Sequence, residues 1–193
     1  MKKRRITIHP MAAISLLTML LLDRSGVAAM SLLAALIHEF GHLLAARLLR
    51  IPLSQMRLEL LGARLEVEGR MLTYGEEWLL CAAGPLASLI SSLLSSFLWA
   101  HAPYAILYTG VSFLLGVLNL LPVQTFDGGR MLECTLLKFL GVRSTSKILK
   151  GCSFFLLWLM WVLAIYFLIK AGDGLSLFCF SLGLMSRFFR VSD

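Results

Sequence analysis

Charge is scarce in this 193-residue sequence: charged residues make up 15% and hydrophobic residues 59%. With a mean hydropathy of +0.83, the composition excludes an ordinary soluble domain and places the chain in a membrane. Acidic residues are scarcer still, 11 against 18 Lys and Arg, which leaves a net charge of +7. Cysteine is limited to Cys81, Cys134, Cys152 and Cys179 with no CxxC spacing, so a disulfide framework is not expected and the four read as small apolar filler. There is no internal repeat, low-complexity tract, Gly/Ser linker or nucleic-acid-binding motif. A single domain over residues 1–193 is expected, with no nucleic-acid partner.

What the chain has instead is long apolar runs. Against the ~20 residues needed to cross a ~30 Å hydrocarbon core, spans are expected at Ile6–Leu22, Val27–Leu49, Leu79–Ala100, Ala102–Leu121, Cys152–Ile169 and Leu175–Phe189. The fold class expected is therefore an α-helical polytopic membrane protein with about six transmembrane helices. Connections alternate between tight ones ("DRSG", "HAP", "KAGDG") and two long, charged ones at Arg50–Trp78 and Pro122–Gly151. Of the 18 Lys and Arg, only Arg24 and Lys170 fall on the side of the tight connections. Positive residues are retained in the cytoplasm, so both termini are expected there, and the surplus charge also suits an anionic lipid surface. The start, "MKKRR" followed by an apolar run and "GVAAM", also resembles a secretory signal. Because the next span follows at once and carries a polar cluster, an uncleaved first span is the preferred reading.

That cluster lies in Ala34–Ala46, "AALIHEFGHLLAA". Ionisable side chains in a membrane span are costly, on the order of 2.5–3.5 kcal/mol for a charged carboxylate. His38 and His42 are one helical turn apart and share a face, while Glu39 lies beside them. This is the HExxH arrangement, in which two imidazoles reach one zinc ion and the glutamate works as a base. Zinc takes three protein ligands and keeps one position open. Asp127, in "NLLPVQTFDGGRML", is the preferred third ligand, because Pro122 ends a helix and Gly128-Gly129 allow close backbone approach. Glu76, Glu77, His9 and His101 are the alternatives. The bland reading, two histidines that merely hydrogen-bond to a neighbouring span, does not account for the aspartate in a Pro/Gly-bounded loop on the same side.

"HEFGH", "AAGPLAS" and "NLLPVQTFDGG", in that order, resemble the site-2 protease family of intramembrane zinc metalloproteases. "IHP" at Ile8–Pro10 and "GARLEVEGR" followed by "EEW" are similar to its sporulation stage IV FB protease branch. The resemblance implies a zinc endopeptidase cutting a membrane-tethered substrate in or beside a transmembrane segment. It matches His38, His42 and Asp127 to the metal ligands and Glu39 to the catalytic glutamate. It further implies release of a transcription-factor precursor of the sigma-factor type into the cytoplasm, and leaves room for membrane regulatory partners. The chain departs from the pattern twice: Ser88 stands where the glycine-proline motif commonly has Asn, and no CBS domain follows the last span; a PDZ domain is not expected either.

Independently of the family, Glu39 would deprotonate a zinc-bound water and hand the proton to the leaving nitrogen. Arg57–Glu68, "RLELLGARLEVE", alternates apolar and polar residues on both sides of Leu61-Gly62-Ala63. It is expected to form a cytoplasmic or interfacial β-hairpin, either holding an extended substrate by β-augmentation or simply packing on the bundle. Asn119 reads as a donor that positions substrate or oxyanion, or as a helix-end hydrogen bond; Pro122 is grouped with it as substrate-positioning. The rival functions are a catalytically idle scaffold of the same fold and, more remotely, a zinc carrier. A carrier would spread ligands along a path and would not need Glu39.

Overall fold

The computed structural model describes residues 5–8, 18, 21, 23, 25–51, 53–59, 62–67, 71–99, 102–171, 181–186 and 188. The elements are β1 (Arg5–Ile8), α1 (Val27–Leu48), β2 (Leu53–Glu59), β3 (Gly62–Val67), α2 (Tyr74–Ser96), α3 (Ala105–Asn119), α4 (Asp127–Leu137) and α5 (Val142–Ala171). The chain divides into two compact units, Met1–Leu118 and Asn119–Asp193.

In the first unit, α1 starts at Gly26, which sits at φ 79° and brings no side-chain cap. Asp23 supplies one from three residues upstream, its Oδ2 accepting from the Ala28 amide at 2.7 Å and its Oδ1 from the Ser25 amide and hydroxyl. The helix ends in a Schellman turn. The Arg50 amide donates to the Arg47 carbonyl and the Ile51 amide to the Ala46 carbonyl, with Arg50 at φ 53°. Ile51 then packs with Ala46 and Leu80, which fixes where the chain leaves the helix for the sheet.

The sheet has the order β1-β2-β3. β1 runs parallel to β2, with Ile6 opposite Met56, and β2 pairs antiparallel with β3, with Met56 opposite Leu65 and Glu59 opposite Gly62. Gly62 and Ala63, expected in the turn, are the first residues of β3, and β2 begins four residues earlier than Arg57. Ile6–Ile8 form strand rather than the opening of a membrane helix. The expected first span therefore starts later than Ile6, and most of its remainder lies outside the described residues, as does the first part of the sixth.

α2 opens with a capping box: the Glu76 amide donates to Thr73 Oγ1, and Glu76 Oε2 accepts from the Thr73 amide and hydroxyl. Its burial pattern inverts that of a soluble helix. The buried residues include Gly84, Ser88, Ser92 and Ser95, whereas Leu86, Ile90, Leu93 and Leu94 are exposed. α1 shows the same inversion, with Ala34, His38, Gly41 and His42 buried and Leu33, Leu36, Phe40 and Leu44 exposed. Small and polar residues inside with large apolar residues outside is the signature of helices packed in lipid.

Among the described residues, Val27–Leu48, Tyr74–Ser96 and Val142–Lys170 are long and apolar enough to cross a membrane, and Ala105–Asn119 is a shorter apolar helix. This is a multi-pass membrane protein. In the second unit, the expected Pro122–Gly151 connection is largely helical. It contains α4, and α5 begins at Val142, ten residues before the apolar run starts at Cys152. α5 contributes Leu157 to a core with Val123, Leu184 and Phe188.

Candidate metal centre

α1 and α2 meet through their smallest residues. A β-carbon on Gly41 would lie 2.5 Å from the Ala83 carbonyl oxygen and 2.7 Å from the Ala87 methyl. No side chain larger than hydrogen fits there, and this close approach brings α2 within reach of both histidine rings.

Each imidazole is held through Nδ1. His42 Nδ1 lies 2.8 Å from the Leu80 carbonyl oxygen, and His38 Nδ1 lies 3.0 Å from Ser88 Oγ. A carbonyl only accepts, so His42 carries its hydrogen on Nδ1 and turns the lone pair of Nε2 inward. The two Nε2 atoms face each other at 3.2 Å, with the rings edge to face. Two nitrogens on one tetrahedral zinc, at about 2.0–2.1 Å each, stand about 3.3 Å apart. The pair has the spacing of two zinc ligands. Gly84 leaves the room: a β-carbon there would overlap His42 Nε2 and stand 2.8 Å from His38 Nε2.

Asp127 is the first residue of α4, after Phe126 in extended backbone. The preceding loop folds back on this helix end. β-carbons on Gly128 and Gly129 would collide with the carbonyl groups of Leu120 and Val123, respectively, so both positions require glycine. Val123, fully buried, pins the loop to its core, and the Gln124 amide donates to Ser153 Oγ at 2.9 Å. The carboxylate is therefore carried by a rigid support, at a helix N-terminus where negative charge is favoured.

The first unit thus offers the imidazoles of His38 and His42, and the second offers the carboxylate of Asp127, as candidate metal ligands. Two neutral imidazoles and a carboxylate are the donor set of a catalytic zinc site. Glu39 follows His38 on α1 and is half-buried. Among the weighed alternatives, Glu76 is engaged in the capping box and Glu77 lies in the same first turn of α2; His9 and His101 lie outside the described residues. Asn119 closes α3, and Pro122 sits in the bend that follows. Sequence reasoning did not anticipate the Leu80 carbonyl, Gly84 or Ser88 as neighbours of the histidines. "AAGPLAS" was the signal that carried Gly84 and Ser88.

Residues 98–163, which include Asn119, Pro122 and Asp127 but not the two histidines, match the family model described as Peptidase family M50. No curated protein matches the chain. Among solved structures, the site-2 protease from Methanocaldococcus jannaschii is similar with a TM-score of 0.66 and 20% identity, over 97% of this chain and 90% of that one. The fold is thus that of a site-2 protease, and the stretch that holds Asn119, Pro122 and Asp127 carries the sequence pattern of the M50 peptidases.

Proposed function

We propose that the chain is an intramembrane endopeptidase, a single membrane-embedded domain of about six spans with both termini cytoplasmic. It cuts a membrane-tethered protein in or just cytoplasmic to its membrane segment. His38, His42 and Asp127 hold the zinc, which when bound acidifies a water and polarises the scissile carbonyl. Glu39, one residue from a ligand but not needed as one, takes the proton from the attacking water and delivers it to the leaving nitrogen. Asn119, at the helix end before Pro122 and eight positions before Asp127, donates to the substrate or developing oxyanion. The observation that carries this reading is the pair of inward-facing Nε2 atoms 3.2 Å apart, buried on a helix whose outer face is apolar.

A helical substrate has its carbonyls hydrogen-bonded and must be drawn out before attack. In the sheet order β1-β2-β3, β2 is the inner strand, so an extended substrate would add at an outer strand, β1 or β3. The resemblance to the sporulation branch favours a precursor of a transcription factor, such as a sigma-factor type, as the substrate. Membrane regulatory partners belong to the same reading. The test is to reconstitute the purified protein in liposomes with tethered precursor segments and map the products by mass spectrometry. Cleavage inside or next to the membrane segment, lost with 1,10-phenanthroline and restored by zinc, is expected. Cuts confined to soluble portions, or cleavage insensitive to the chelator, would reject the proposal.

A further inference from the structure

We infer that Ser88 is the positioning residue for the zinc ligand His38, an inference that rests on the zinc reading of the site. Ser88 is fully buried on α2, and its Oγ lies 3.0 Å from His38 Nδ1. When Nε2 binds metal, the ring hydrogen resides on Nδ1 and Ser88 Oγ accepts it. A partner on the far nitrogen fixes both the tautomer and the ring orientation of a metal-bound imidazole. The short serine side chain reaches the ring because α1 and α2 approach so closely around Gly41, Ala83 and Ala87.

Ser88 is itself fixed from the other side. Its carbonyl accepts from Ser91 Oγ at 2.9 Å and from Ser112 Oγ of α3 at 3.0 Å. Ser91 Oγ and Ser112 Oγ also lie 2.9 Å apart, so one of the two hydroxyls can turn from the carbonyl to the other, and Tyr108 OH donates to Ser91. Farther along, Ser92 donates to the Thr109 carbonyl and Ser95 bonds the Thr109 hydroxyl. A seam of hydroxyls thus joins α2 to α3, and Ser88 is its member that touches a ligand. The two histidines differ in this respect: His42 leans on a backbone carbonyl, which no substitution removes, whereas the partner of His38 is a side chain.

The experiment compares zinc affinity, by competition with a chromophoric chelator, and the Co2+ absorption spectrum in the full-length wild type, Ser88→Ala and Ser92→Ala. Each variant deletes one buried hydroxyl of α2, that of Ser88 against His38 and that of Ser92 against the Thr109 carbonyl, and Ser92 touches no ligand. Ser88→Ala is expected to bind zinc about 10- to 100-fold more weakly and to shift the visible Co2+ bands. Ser92→Ala should match the wild type in both readouts, although its melting temperature falls. Wild-type affinity and spectrum in Ser88→Ala would overturn the inference, and so would equal losses in the two variants, since that would mark a helix-packing effect. Failure of the wild type itself to bind zinc would overturn the zinc reading instead.

Discussion

Gly84→Ala should empty the metal centre while leaving the protein folded. The added methyl would overlap His42 Nε2 and lie 2.5 Å from His42 Cε1 and 2.8 Å from His38 Nε2. Non-bonded carbon contacts settle at about 3.5–4.0 Å, so the rings would have to retreat by about 1 Å. The obstacles are ring atoms rather than backbone, so retreat is possible. It would strain or break the bonds from His42 to the Leu80 carbonyl and from His38 to Ser88. At about 0.5–1.5 kcal/mol for each bond, the loss of roughly 1–3 kcal/mol leaves a fold of ordinary stability standing. Metal coordination is less forgiving, because ligand distances tolerate only about 0.2 Å. Zinc affinity should therefore fall by at least about 100-fold, beyond the effect of losing an outer hydrogen bond. The assay is zinc content per chain by atomic emission, with chelator competition, alongside a thermal melt. Gly75→Ala is the control, since a β-carbon on Gly75 of the same helix meets nothing within 4 Å. A folded Gly84→Ala protein that keeps one zinc at wild-type affinity would refute the placement of the ion between these Nε2 atoms.

Three further outcomes are expected. Asp127→Ala, which removes one of three protein ligands, should weaken zinc binding by at least about tenfold; unchanged affinity would return the third ligand to His9 or Glu77. Cysteines introduced at Ser25 and Ser144, both exposed, should label differently with an impermeant thiol reagent on intact cells, Ser25→Cys reacting and Ser144→Cys not; the reverse pattern would overturn the orientation. Asp23 is held below its ordinary value of 3.8 chiefly by the Ser25 hydroxyl and then by the Ala28 amide. Its contribution to stability is therefore complete above the unfolded value and lost as pH falls through the depressed one, so the difference in melting temperature between wild type and Asp23→Ala should shrink below about pH 4; a constant difference would refute the capping role.

The parts of the site that a local pattern encodes were legible in the sequence. His38 and His42 share a helix face because four residues make about one turn, and Asp127 could be singled out because Pro122 and the two glycines bracket its loop. Gly128 and Gly129 are small for the reason expected, close backbone approach, here to the Leu120 and Val123 carbonyls. What was not legible depends on pairing between distant segments: Ser88 meets His38 across 50 positions and Leu80 meets His42 across 38. Nothing in one sequence states which turn of α2 faces which turn of α1. The hydroxyls of α2 and α3 looked like mildly polar interruptions of apolar runs, and only their pairing shows them as a seam. The strand at Arg5–Ile8 is hidden in the sequence because its apolar residues merge with the run that follows, and its partner, β2, lies some 50 residues on. α4 and the first turns of α5 do not stand out in the sequence as helix, because their charge marks them only as outside the membrane, which says nothing against a helix.

The most direct test of the catalytic claim is cleavage by Glu39→Gln, measured on a membrane-tethered substrate in liposomes with zinc content determined on the same preparation. If Glu39 moves the proton and holds no metal, the variant should keep about one zinc per chain, as the wild type does, and cut at least about 100-fold more slowly. Cleavage at the wild-type rate by a zinc-loaded Glu39→Gln protein would contradict the assignment of the base, and loss of the zinc would contradict the division between Glu39 and the three ligands.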